Sequence, residues 1–208
     1  GFFSSYEDVA SSPVQFGQVS RPGDIKYKDL NHDGVIDSND QAPIGYNPVP
    51  EMTFSLTAGL NWKGFDFSVL LQGATRSSIY LQGDIAWDNS WGNYFEEHIG
   101  RWTPETAATA TYPRFTKAAT ATHPNYYKSD YWLKDSKYLR LKNIQLGYTI
   151  PRKLLKKFGI RSLRVYTNAY NLLTWDNVKK VDPESPNNSN GQFYPQQKVI
   201  NFGINLNF

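Results

Sequence analysis

Two alternating segments decide the fold: Met52-Thr-Phe-Ser-Leu-Thr-Ala-Gly-Leu-Asn-Trp62 and, after Lys63-Gly64, Phe65-Asp-Phe-Ser-Val-Leu-Leu-Gln72. In the first segment every second residue is apolar and the residues between are polar or small, a pattern that predicts a strand with two unlike faces. Its length matches the ~9–11 residues that a tilted strand needs to cross a bilayer.

The two segments predict a hairpin. A two-residue turn at Lys63-Gly64 pairs Trp62 with Phe65, and paired residues point to the same side of a sheet. The same register sets Leu60 beside Phe67. One face of the hairpin is then apolar throughout, whereas the other is almost entirely polar. Since the alternation within each segment does not impose this match, the register is independent support for the hairpin.

Three further strands are expected within Tyr138–Ile150, Ser162–Leu173 and 200–208. The alternation changes parity near Lys142-Asn143, which indicates a β-bulge or a strand that rises beyond the membrane. The second of these strands is ambiguous because its tyrosines lie opposite its leucine and valine. Between the first two strands, a short helical turn is expected to end at Gly159.

The connections between these strands are alternately short and long, as in outer-membrane barrels, whose periplasmic turns are short and extracellular loops long. We therefore predict an all-β, antiparallel transmembrane β-barrel segment. Its parts are an extracellular loop at 1–51, a transmembrane hairpin at 52–75, a long extracellular loop at 76–137 and three C-terminal transmembrane strands at 138–208. A soluble β-sandwich would show the same alternation, but the long loop and the terminal Phe208 favour the membrane.

Composition limits the other classes of protein. The chain has 208 residues, a net charge of +3 and no cysteine, which excludes disulfides and gives no basic patch for nucleic acid. No apolar run approaches the ~20 residues of a membrane helix. A polar average is nevertheless compatible with a barrel, because only alternate residues face lipid.

The segment 29–40 has the spacing of a calcium-binding loop. Gly34 stands at the sixth position, where the chain turns sharply, and Ile36 can anchor the loop to apolar neighbours. We predict a structural calcium site, with magnesium as the alternative ion; the other interpretation is an Asx-rich turn with solvated carboxylates. The expected ligands are Asp29, Asn31, Asp33, the carbonyl oxygen of Val35, Asp37 and Asp40.

No catalytic constellation is found in the sequence, so we expect the chain not to be an enzyme. The three histidines, His32, His98 and His123, fall in loops without a metal-ligand spacing or a nucleophile motif. Asp182 and Glu184 flank a proline in a loop and are interpreted as solvated charges.

The segment 77–136 is rich in aromatic side chains, which either pack the loop upon itself, form an interfacial girdle or contact a substrate. The sequence does not identify individual substrate-binding residues. The aromatic residues are Trp87, Trp91, Tyr94, Phe95, Trp102, Tyr112, Tyr126, Tyr127, Tyr131 and Trp132.

Several spaced motifs occur in a fixed order. The longest is Arg21-Pro-Gly-Asp-Ile-Lys-Tyr-Lys-Asp-Leu-Asn-His-Asp-Gly-Val-Ile-Asp37. The others are Ile44-Gly45, Leu60-Asn-Trp-Lys-Gly-Phe-Asp-Phe-Ser-Val-Leu-Leu-Gln-Gly73, Arg101-Trp-Thr-Pro-Glu105, Tyr112-Pro-Arg114, Tyr138-Leu-Arg-Leu-Lys-Asn-Ile-Gln-Leu-Gly-Tyr148, Asn171-Leu-Leu-Thr-Trp175 and Asp182-Pro-Glu184. Together they resemble the signature of the SusC/RagA family of TonB-dependent outer-membrane transporters. His32 replaces the commoner glycine of that signature, at a solvent-facing position where we expect tolerance.

The resemblance implies about five C-terminal strands of a roughly 22-stranded plugged barrel in the outer membrane of a Gram-negative bacterium. The plug domain and the TonB box would lie outside this chain. Such a protein imports oligosaccharides or peptides with energy from TonB and a SusD-like surface lipoprotein. Its other expected contacts are membrane lipid and lipopolysaccharide. The terminal Phe208 resembles the assembly signal of such barrels; otherwise it simply ends the last strand.

Two alternatives to active import remain at this stage. A passive porin would share the strands but lack a plug. A soluble or cell-surface β module, stabilised by calcium and binding carbohydrate, would instead bury the apolar face in its interior.

Overall fold

The computed structural model describes residues 1–88, 94–117, 122–179, 181–185 and 193–208. Within these ranges the chain divides into two compact units. The first comprises residues from 1–44 and 80–133, and the second comprises residues from 45–79, 134–185 and 193–208. The predicted loop boundaries at 51 and 137 therefore lie a few residues from the boundaries of the units.

Most of the regular structure is β-strand. The strands are β1 (Val14–Gln15), β2 (Val35–Ile36), β3 (Met52–Trp62), β4 (Phe65–Thr75), β5 (Ser78–Tyr80), β6 (Leu133–Asp135), β7 (Tyr138–Thr149), β8 (Ser162–Asp176) and β9 (Val199–Asn207). The α-helices are α1 (Tyr6–Ala10) and α2 (Arg152–Leu155), and short 3-10 turns occur at Gly83–Ile85, Glu96–Gly100, Pro124–Tyr126 and Lys156–Phe158.

The second unit is built on one antiparallel sheet with the strand order β3-β4-β7-β8-β9. The predicted hairpin register is confirmed, since Trp62 pairs with Phe65 and Leu60 with Phe67. Lys63 and Gly64 both have positive φ, at 47° and 90°, as a two-residue type I′ turn requires. A Cβ on Gly64 would lie 2.8 Å from the carbonyl oxygen of Thr149, so the turn is also tightly covered.

The predicted bulge in β7 is also confirmed. Its pairing with β8 shifts register between Leu141 and Asn143, and its pairing with β4 shifts at the same place. Opposite β4, Lys142 is the extra residue; opposite β8 the extra residue lies on β8, where Asn171 and Leu172 together face Lys142. The bulge explains the change of parity, because one added residue moves all later side chains to the opposite face.

The sheet has one continuous apolar face. Its side chains are Met52, Phe54, Leu56, Leu60 and Trp62 on β3; Phe65, Phe67, Val69 and Leu71 on β4; Leu139, Leu141, Ile144, Leu146 and Tyr148 on β7; Val165, Ala169, Leu173 and Trp175 on β8; and Ile200, Phe202, Ile204 and Leu206 on β9.

Exposure decides between a barrel wall and a sandwich. Leu60, Phe67 and Phe202 are 65%, 36% and 84% exposed, whereas the core face of a sandwich would be covered by a second sheet. The soluble alternative, in which these side chains form a core, is therefore wrong for the described residues. Among those residues no helix has the length and apolarity needed to span a membrane.

The short connection between β7 and β8 forms the predicted helical turn. Helix α2 begins after Pro151, and the following 3-10 turn ends at Gly159, whose φ is 70°. Leu155 is buried and anchors the turn, whereas Leu154 and Phe158 are exposed. Strand β8 is longer than the sequence indicated and extends to Asp176.

The first unit has a core of its own, although the sequence predicted only loops there. Strands β1 and β2 pair in parallel, and Phe3, Ile25, Tyr112, Tyr126 and Trp132 are buried. Residues distant in the chain therefore share one apolar interior.

Candidate functional site

The face of the sheet opposite the apolar face is polar and carries an ion pair across three strands. Arg164 on β8 donates to both carboxylate oxygens of Asp66 on β4, at 2.9 and 2.5 Å. The strand between them presents Gly147, whose added Cβ would lie 2.5 Å from both the Arg164 guanidinium and the Asp66 carboxylate. Glycine is therefore required for the pair to close over β7.

A second polar cluster joins the β8–β9 connection to the sheet. Arg140 on β7 forms ion pairs with Asp182 at 2.8 Å and with Glu184 at 2.7 Å. Lys142, the bulge residue, contacts the same Glu184 carboxylate at 3.0 Å. The Gln196 backbone N–H donates to Asp182 at 3.1 Å. Both ends of the described connection are therefore attached to charged side chains of β7.

The interpretation of Asp182 and Glu184 as solvated charges is wrong. The side chains of Asp182 and Arg140 are only 7% and 3% exposed. Burial by itself raises the pKa of Asp182, but hydrogen bonds from Arg140 and from the Glu184 and Gln196 backbones outweigh it and lower this pKa below its usual value. The sequence signal that was missed is the basic pair Arg140 and Lys142, two residues apart at the start of β7.

The first unit is held together by a buried ion pair between two of the motifs. The Arg114 Nε lies 2.7 Å from Oδ1 of Asp24, and the Asn125 side-chain amide donates to the same oxygen at 2.9 Å. Asn125 is fully buried and accepts the backbone N–H of Ile25. The carboxylate thereby links three distant parts of the chain, and its charge is compensated within the interior.

Gly23 allows these parts to approach each other. Its φ is 85°, and an added Cβ would lie 2.6 Å from the Trp102 ring and 2.9 Å from the Arg114 side chain. Its carbonyl oxygen accepts the Arg114 backbone N–H at 2.8 Å, and its own N–H donates to Phe3 at 2.8 Å.

Several aromatic residues of the segment 77–136 pack inside the first unit. The Tyr112 hydroxyl donates to the Ala86 carbonyl oxygen at 2.8 Å, and the Tyr126 hydroxyl donates to the fully buried Asp88. Burial lowers the pKa of His98, so its neutral ring accepts the Phe95 N–H at 3.1 Å. Packing is therefore the role of these buried rings.

Other aromatic residues of this segment are exposed and not buried. Tyr94 and Phe95 are 56% and 40% exposed, and their predicted alternatives, girdle or substrate contact, stay open. Trp91 lies outside the described residues.

The acidic loop has the expected backbone turns. Asp29 accepts the backbone N–H groups of His32 and Gly34 at 2.6 and 2.9 Å, and Asp40 accepts that of Leu30 at 2.6 Å. Hydrogen bonds from the Asp37 and Leu30 backbones lower the pKa of Asp40. Ile36 is buried, which confirms its predicted role as the anchor of the loop.

Within the described residues, no three acidic or histidine side chains are already gathered as a metal-ligand set. The donor chemistry nevertheless fits calcium, because a carboxylate has about four acceptor positions and backbone hydrogen bonds occupy only some of them. The predicted set of Asp29, Asn31, Asp33, Val35, Asp37 and Asp40 stays a prediction.

His32 is exposed, as expected, but its φ is 64°. Glycine adopts this left-handed region without strain, and histidine is among the residues that adopt it more often than most. The backbone conformation, and not only solvent exposure, therefore explains why glycine is commoner at this position.

Comparisons with known proteins agree on one class. No family model matches the chain. TonB-dependent receptor P26 of Formosa agariphila is 30% identical over 224 aligned positions, which cover 100% of this chain and 22% of that protein. TonB-dependent receptor SusC of Bacteroides thetaiotaomicron is 25% identical and is matched over 93% of this chain and 18% of its own length. The chain thus spans about a fifth of the length of these relatives, which are described as TonB-dependent receptors.

Solved structures show the same fold. The RagAB peptide importer in its open-open state has a TM-score of 0.65 and 24% identity, covering 84% of this chain and 19% of the matched chain. A further RagAB peptide transporter structure has a TM-score of 0.66 and 24% identity over 83% of this chain and 19% of the matched chain. The five-stranded sheet is open because this chain is only part of a barrel. The chain is therefore similar over its length to a fragment from the C-terminal part of TonB-dependent receptors such as SusC, which are outer-membrane proteins of Gram-negative bacteria, and it has the fold of the corresponding part of the RagAB barrel.

Proposed function

We propose that the full-length protein imports oligosaccharides or peptides across the outer membrane with energy from TonB and a SusD-like lipoprotein. The observation that carries this proposal is the two-faced sheet. One face exposes apolar side chains, and the other carries polar side chains and an ion pair between Asp66 and Arg164. A barrel wall with lipid outside and a polar interior has this distribution.

The relatives support active uptake over passive diffusion. They are TonB-dependent receptors, and the matched solved structures are described as a peptide importer and a peptide transporter. Oligosaccharide and peptide substrates both stay within the proposal, since the scaffold motifs do not select between them.

The test uses the organism that carries the full-length gene. Uptake of labelled oligosaccharides and oligopeptides is compared in the wild type, a gene deletion, the complemented deletion and a strain without TonB. We expect uptake of one substrate class to disappear in both deficient strains and return on complementation. Uptake that needs the gene but survives the loss of TonB would establish the passive porin instead, and uptake unaffected by the gene deletion would reject both.

We propose that the acidic loop holds calcium, or magnesium, as a structural ion. Asp29 and Asp33 would supply carboxylates and Val35 a backbone carbonyl, while the buried Ile36 couples the loop to the first unit. The ion would then rigidify the loop, because it draws together oxygens that otherwise repel each other.

Calcium titration of the full-length protein after chelator treatment is expected to show saturable binding that Asp33→Ala weakens at least about tenfold. Asp135→Ala is the matched control, because Asp135 lies outside the loop and its side chain is 40% exposed and paired with Lys137 at 2.9 Å. Identical titration curves for the wild type and Asp33→Ala would show that the loop is an Asx-rich turn without an ion.

We propose that Phe208 acts as a signal for barrel assembly. It follows β9 directly and is 74% exposed. Deletion of Phe208 from the full-length protein is expected to lower its surface level without affecting its synthesis. Leu206→Ala serves as the control for a general weakening of β9. A normal surface level without Phe208 would mean that this residue only ends the strand.

A further inference from the structure

A groove of about 510 Å³ lies at the end of the sheet where the long connections leave it. Its apolar walls include Phe54, Leu139 and Trp175. These residues form one row with Gly73, because Phe54 pairs with Gly73, Gly73 with Leu139, and Leu139 with Trp175. The groove therefore opens on the apolar face and runs over four neighbouring strands.

Gly73 determines the shape of this row. An added Cβ on Gly73 would lie 2.5 Å from the end of the Phe54 ring, so the end of that ring occupies the space above Gly73. Trp175 bounds the row on β8 and is 53% exposed. Phe54 and Trp175 thus stand at the two ends of the apolar row, and a side chain at Gly73 would fill part of the space between them.

The head of the groove is polar. Lys137 and Asn177 line it, each two residues beyond a member of the apolar row. The Lys137 ammonium lies 2.9 Å from Asp135, but both side chains are largely exposed, at 55% and 40%. Such a surface pair contributes little, and an ammonium has three donors, so Lys137 can also bind an anionic group.

A further carboxylate that lines the groove, Asp176, already accepts hydrogen bonds. Asp176 accepts the backbone N–H groups of Val178 and Lys179 at 2.9 and 2.8 Å. It therefore offers less repulsion to an incoming anion than a free carboxylate would.

We propose that this groove binds lipid A of lipopolysaccharide, with an acyl chain between Phe54 and Trp175 and a phosphate at Lys137. The groove is continuous with the apolar, lipid-facing side of the barrel, and a basic residue at the head of an apolar groove matches an anionic lipid. The choice of lipid A rests on the proposed orientation, in which the long connections lie outside the cell, on the side of the membrane that carries lipopolysaccharide.

The test uses the purified full-length receptor in detergent and measures retained lipid A by native mass spectrometry during titration. The double variant Lys137→Gln/Trp175→Ala is expected to retain lipid A about tenfold more weakly than the wild type. The matched control is Lys63→Gln/Trp62→Ala at the opposite end of the sheet, where the Lys63 ammonium lies over the Trp62 ring at 4.9 Å. This control is expected to bind like the wild type.

Three outcomes would overturn the proposal. Equal weakening in both double variants would mean that lipid A binds the apolar belt without a specific site. Unchanged binding in Lys137→Gln/Trp175→Ala would exclude the groove. Phosphatidylglycerol that binds as tightly as lipid A, through the same residues, would assign the groove to a phospholipid and contradict the orientation. Since lipid binding needs no transport, loss of the import function would leave these measurements unaffected.

Discussion

Replacing Gly23 with alanine is expected to lower the free energy of unfolding of the first unit by about 2–4 kcal/mol. An alanine at a φ of 85° costs roughly 1 kcal/mol in backbone strain. The added Cβ would also stand 2.6 Å from the Trp102 ring and 2.9 Å from the Arg114 side chain. Neither is a flexible chain end, so overpacking adds roughly 1–3 kcal/mol. Hydrogen–deuterium exchange of the Arg114 amide, which donates to Gly23, measures the effect in the full-length receptor.

Gly17→Ala separates the two contributions to this effect. Gly17 also has a positive φ, at 63°, but nothing lies within 4 Å of an added Cβ. Its substitution should therefore cost only the backbone strain, and amide exchange should increase far less than in Gly23→Ala. If both variants exchange alike, the contact with Trp102 does not constrain the unit.

Arg140→Met is expected to release the β8–β9 connection from the sheet. The substitution leaves Asp182, whose side chain is 7% exposed, without its cation, and breaking such a buried pair costs about 3 kcal/mol. Opening of the connection should therefore become about a hundredfold more frequent. Amide exchange at Glu184 and Gln196 reports it directly, because both backbone N–H groups donate to Asp182.

Two companion variants show whether the buried charge causes the effect. Asp182→Asn in the Arg140→Met background removes the uncompensated carboxylate and should restore part of the protection. Arg152→Met, at an exposed position of α2, should change nothing at Glu184. Failure of Arg140→Met to increase exchange would mean that the connection is held by other contacts.

The sheet could be predicted from the sequence because the alternation of apolar and polar residues within each strand agrees with the pairing that the two-residue turn imposes. Alternation placed β3, and the pairing of Leu60 with Phe67 followed from a two-residue turn. The bulge at Lys142 was visible as a change of parity. These features depend on neighbours in sequence or on one hairpin, so local rules suffice.

The first unit and the Arg140 cluster could not be predicted, because their contacts join residues that are far apart in the chain. Asp24 and Asn125 are far apart in the chain, and no periodicity links them. Pro183 suggested an exposed turn, and nothing local indicated that Asp182 would meet Arg140. Motif resemblance marked both regions, but only the structure shows which residues touch.

Because β7 has a glycine at position 147, the ion pair above it can form during insertion only when the three strands are in the correct register. The Asp66 carboxylate and the Arg164 guanidinium can meet only where the intervening strand has no side chain. A slip of two residues preserves the two faces but brings Gln145 or Thr149 under the pair. The misaligned wall would then hold the two charges apart, so Gly147 favours the correct register of the three strands.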